Sequence, residues 1–74
     1  MTTKQLLRCY DALSGALAAL QSSPRSERAQ ALPIVRYRAA ELMAALKLAN
    51  IRISRHVLEM AERLVDKATS AVLA

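Results

Sequence analysis

Between Pro33 and Ala49 the chain carries apolar residues on two sides of one helix. At about 100° per residue, Val35, Ala39, Leu42, Leu46 and Ala49 align on one stripe, with Leu32 and Met43 at its edge. Ile34, Tyr37, Ala45 and Leu48 fall in another sector, set off from the first partly by Arg38. One stripe seats a helix on a core; a second needs a second partner. A chain of 74 residues buries only about 60% of its unfolded surface and can supply one such partner, so the other is expected from another chain.

The remaining composition narrows how so small a chain gains stability. One cysteine, Cys9, excludes a disulfide within the chain, and Cys9 with His56 falls short of the three or four ligands of a zinc site. No metal or other cofactor is expected, which leaves oligomerisation, most simply a homodimer. One glycine, two prolines, no Phe or Trp and an apolar set rich in Ala and Leu point to helices throughout.

Helix 1 is expected from about Lys4 to Gln21 with Thr3 as N-cap, burying Leu6, Tyr10, Leu13, Leu17 and Leu20. Gly15 lies on its opposite side. Ser23 and Pro24 make a good N-cap and N1 pair for a second helix. Pro33 then interrupts the pattern, which predicts either a kink or a short extra helix over 24–31 followed by a main helix over 33–49. Asn50 suits a left-handed C′ position with Ile51 folding back, and Ser54 reads as the N-cap of helix 3, with Ile53 and Leu58 as its hydrophobic staple. Helix 3, about Arg55 to Val72, is expected to bury Val57, Leu58, Ala61, Leu64, Val65, Ala68 and Val72, with Glu59 and Arg63 paired outside. The expected fold is all-α: a small three-helix hairpin array, oligomeric, forming a single domain over residues 1–74.

No stretch reaches the roughly 18 uninterrupted apolar residues of a membrane span, since the longest charge-free run, Ala12 to Pro24, contains Ser14, Gly15, Gln21, Ser22 and Ser23. Asp11 interrupts what would otherwise resemble the apolar region of a signal peptide. A cytoplasmic protein with no membrane partner is the expectation.

Little here supports catalysis. Glu59 belongs to a solvated helix face, no local motif surrounds Cys9 or His56, and a lone glycine builds no phosphate loop. Cys9 flanks the apolar stripe of helix 1 and is expected to be a packed thiol. A non-enzymatic binding protein is therefore expected: a regulator, adaptor or chaperone that self-associates and occludes a surface on a larger protein partner. Its interface would comprise Ile34, Tyr37, Arg38, Ala45 and Leu48.

The alternative is a basic helix-turn-helix-like regulator of DNA or RNA. The net charge is +5, and residues 24–50 hold +3 of it, with Arg25, Arg28, Arg36, Arg38 and Lys47 against Glu27 and Glu41. Arg52, Arg55 and His56 would open the recognition helix. Against this, Leu48 and Val57 are nine residues apart where the common compact motif has about seven, and Glu59 and Glu62 would bring negative charge towards phosphates.

Overall fold

The computed structural model describes residues 2–48 and 53–73, which form three helices: α1 (Thr3–Ser22), α2 (Arg28–Lys47) and α3 (Arg55–Leu73). There is no strand among the described residues. Neighbouring residues pair α2 with α3 in antiparallel fashion, the start of α2 lying by the end of α3. Tyr10 and Ser14 lie beside Met60 to Lys67, so α1 and α3 run parallel. The order is up, down, up, in a body of 43 × 17 × 16 Å.

Each end of α1 has a local cause. Thr2, and not Thr3, is the N-cap: the Gln5 backbone N–H donates to Thr2 Oγ1 at 3.2 Å, and the Thr2 backbone N–H donates to Gln5 Oε1 at 2.9 Å. Thr3 would have Leu6 three residues on, which cannot reciprocate, whereas Thr2 finds the Gln of a capping box. At the other end Pro24 restricts Ser23 to extended backbone, φ −76° and ψ 142°, and this stops the helix. Ser23 thus closes α1 instead of opening α2, its hydroxyl donating to the Ala19 carbonyl at 2.6 Å.

Residues 24–27 make a single turn, with the Glu27 N–H donating to the Pro24 carbonyl at 2.9 Å, before α2 begins at Arg28 without a side-chain cap. Of the two alternatives at Pro33, the separate short helix over 24–31 does not form. Pro33 lies inside one continuous helix, as its sixth residue. A proline there forfeits one bond, to the Ala29 carbonyl, and the apolar contacts of Ala31, Leu32 and Val35 hold the turns on either side together.

Twelve of the described residues form the core, led by the fully covered Leu6, Leu13, Val35 and Leu42. The α1 stripe is as expected, with Tyr10 half-buried at its edge. Ala61, Val65 and Ala68 bury completely or nearly so in α3, flanked by the half-buried Val57, Leu58, Leu64 and Val72. Ile53 is buried and Leu58 packs on the same core, consistent with the staple, and the Leu58 N–H donates to the Ser54 carbonyl at 3.1 Å. Ala49, Asn50, Ile51 and Arg52 lie outside the described residues. Cys9 is half-buried against the core.

Candidate functional site

The outer face of α2 carries three of the six large apolar side chains left exposed among the described residues. Ile34 is 55% exposed, Tyr37 64% and Leu48 69%. Tyr37 and Leu48 are eleven residues apart, three turns of helix, so they share nearly one meridian. The core of the chain is closed without them.

Ala45 does not belong to this face. It is 2% exposed and part of the core. On an ideal helix it lies about 80° from Val35, next to the half-buried Arg38, and so on the flank where α2 turns inward. The border between the two apolar sectors runs beyond both Arg38 and Ala45, and not at Arg38. A small side chain at such a position is covered by its surroundings where a long one would reach water.

Arg38 joins the exposed strip through its neighbours. Its Nη1 lies 3.3 Å from Glu41 Oε1, and its guanidinium carbon is 5.5 Å from the centre of the Tyr37 ring. Helical spacing sets Glu41 between Tyr37 and Leu48 on the same side. The strip is therefore two apolar patches, Ile34 with Tyr37 and then Leu48, with an ion pair between them, and Glu41 is a component that the apolar pattern alone did not reveal. A partly exposed pair of this kind adds about 0–1 kcal/mol to stability, and it sets one charge of each sign beside the apolar residues. Such a surface suits a partner with an apolar ridge and polar groups at its middle.

A second uncovered surface lies between α2 and α3. A shallow apolar groove runs from Ala39, Ala40 and Met43 against Ala68, Thr69, Val72 and Leu73, and continues past Leu46 and Val65. Arg36 and Lys47 edge it on the α2 side, Glu62 and Asp66 on the α3 side. Met43, expected at the rim of the core, is 45% exposed here, and Leu73 is 80% exposed. The antiparallel pairing of α2 with α3 creates this groove, which is why a reading of each helix by itself did not find it.

The residues of the nucleic-acid alternative are only partly in view. Arg52 lies outside the described residues, while Arg55 and His56 are exposed in the first turn of α3. The Arg55 side chain is 93% exposed, and its Nε lies 3.8 Å from Glu59 Oε1; this pair replaces the expected Glu59–Arg63 one. Arg25 and Arg28 line a cleft with Leu20, Leu32 and Ala71 at the opposite end of the bundle. Since α2 spans 20 residues, about 30 Å separates the two basic ends.

No group of three or more potential metal ligands occurs among the described residues, and no described helix is long and apolar enough to cross a membrane. No family model, curated protein or solved structure matches this chain.

Proposed function

We propose that this chain is a small non-enzymatic adaptor or regulator that self-associates and covers a surface of a larger protein partner with the outer face of α2. The observation that carries the reading is the exposure of Ile34, Tyr37 and Leu48 on one helix whose opposite side already fills the core. Apolar side chains are spread almost evenly around α2, whereas in α3 they keep to one side. An apolar sector outside the buried stripe, set among charged residues, suits a second partner on that side. Tyr37 adds a large, stiff ring with a polar tip, the kind of group that anchors interfaces, and Arg38 with Glu41 selects for complementary charge.

Replacing Tyr37 with Ala and Leu48 with Ser together tests this. The expected variant keeps wild-type helical circular dichroism and thermal midpoint, because neither side chain enters the core, yet loses a discrete protein partner that the wild type retains in a nuclease-treated pull-down. Retention of that partner by the folded variant would overturn the assignment of the strip.

Exposure of Arg55 and His56 in the first turn of α3 favours the second reading, a DNA- or RNA-binding regulator. In that case the captured material disappears on nuclease treatment, and Arg55→Ala weakens binding and flattens its salt dependence. The Glu59 contact and the distance to Arg25 and Arg28 place this second.

A further inference from the structure

We infer that the seat of self-association is the α2–α3 groove, occupied by the same groove of a second copy in a four-helix seam, so that the Ile34–Tyr37–Leu48 strip stays free for the larger partner. The inference takes self-association from the proposed function and assigns it to a different surface. Two observations carry it.

The first is area. A compact monomer of 8.1 kDa exposes roughly 4,500 Å² by the scaling of folded monomeric proteins. This chain exposes 5265 Å². The excess, roughly 770 Å² over the whole surface, is of the order of the ~800 Å² that each partner contributes to a standard interface, and the apolar groove is one of the two uncovered faces that contribute to it.

The second is charge. Lys47 on the α2 edge stands level with Glu62 and Asp66 on the α3 edge, and all three are exposed. None of them forms an ion pair with another described residue. A two-fold axis parallel to the helices lays α2 of one protomer over the partner's α3 and keeps these levels matched. Lys47 then meets the partner's Glu62 and the partner's Asp66, and symmetry makes the contact twice. Because α2 and α3 are antiparallel, every neighbouring pair in the resulting bundle is antiparallel as well, with Met43 and Leu73 brought into the seam. The other face-to-face arrangement, with the axis across the helices, sets α2 on the partner's α2 and brings Arg36 against the partner's Lys47. Like charges disfavour it.

Mixing two charge-reversed proteins tests the seam. Sedimentation of the wild type at micromolar concentration is expected to give twice 8.1 kDa. Lys47→Glu alone, and Glu62→Lys with Asp66→Lys, are each expected to weaken the dimer by about tenfold or more, since both symmetry-related contacts become repulsive. An equimolar mixture of the two should recover a dimer of wild-type strength, because one contact is then reversed in sign and the other is native. That recovery requires pairing between chains, so repair within one chain cannot mimic it. Met43→Lys should also dissociate the dimer, while Tyr37→Ala with Leu48→Ser should leave it intact. Charge-reversed proteins that keep wild-type association, a mixture that stays monomeric, or a dimer lost in the Tyr37/Leu48 variant would overturn the seam while leaving self-association standing. A wild type that is monomeric throughout would overturn both. Circular dichroism of each variant confirms that the subunit remains helical.

Discussion

At the scale of single residues, alanine has opposite consequences in the core and on the exposed side of the bundle. Leu42 is fully covered, and truncating it to Ala leaves a cavity that is expected to cost about 2–5 kcal/mol, seen as a lowered midpoint in denaturant. Gly15 lies in the middle of α1 on its exposed side, and a methyl group added there meets nothing within 4 Å. Gly15→Ala is therefore expected to stabilise by about 0.5–1 kcal/mol, through lower entropy of the unfolded chain and better helix propensity. A destabilised Gly15→Ala would mean that something outside this chain packs closely against that side of α1. Ala45 teaches a related point: its place in the core follows from small size at the inward flank of α2, and apolar character alone assigned it wrongly to the outer face.

At the scale of elements, helix boundaries follow from which backbone groups find partners. Thr2 and Gln5 satisfy two donors at the start of α1, and Pro24 stops that helix by holding Ser23 extended. The start of α2 has no such device, and the helix also carries Pro33. Pro33 is exposed, so its replacement removes no core contact. Pro33→Ala is expected to restore the bond to the Ala29 carbonyl and raise stability by about 1–2 kcal/mol, part of the helical gain being offset by greater freedom of the unfolded chain. Thermal unfolding at fixed protein concentration measures it. A loss of stability on this substitution would show that the proline geometry itself is needed to seat α2.

At the scale of the whole molecule, a small core of mostly Leu, Val and Ala carries a fold with no disulfide and no cluster of metal ligands among the described residues. Stability of such a body is expected to depend on association. If the dimer binds together only folded subunits, the thermal midpoint rises with protein concentration, by about several degrees over a hundredfold range. A midpoint independent of concentration, paired with a monomeric mass, would assign all the stability to one chain.

Much of this architecture was legible from periodicity. The α1 stripe of Leu6, Leu13, Leu17 and Leu20, the wide α3 stripe and the surplus apolar residues Ile34, Tyr37 and Leu48 all follow from 3.6 residues per turn and the chemistry of each side chain, which are local properties. Caps were harder to read, because Thr2 and Thr3, or Ser23 at a helix end and a helix start, differ only in which neighbours come within hydrogen-bond reach. Tertiary structure alone decided that Pro33 sits within a continuous helix, that Ala45 faces inward, and that Met43 and Leu73 share a groove with Lys47 on one edge and Glu62 and Asp66 on the other. The physical reason is that burial at a helix flank and the composition of an interhelical groove depend on where the neighbouring helix lies, and periodicity within one helix carries no information about its neighbour's position.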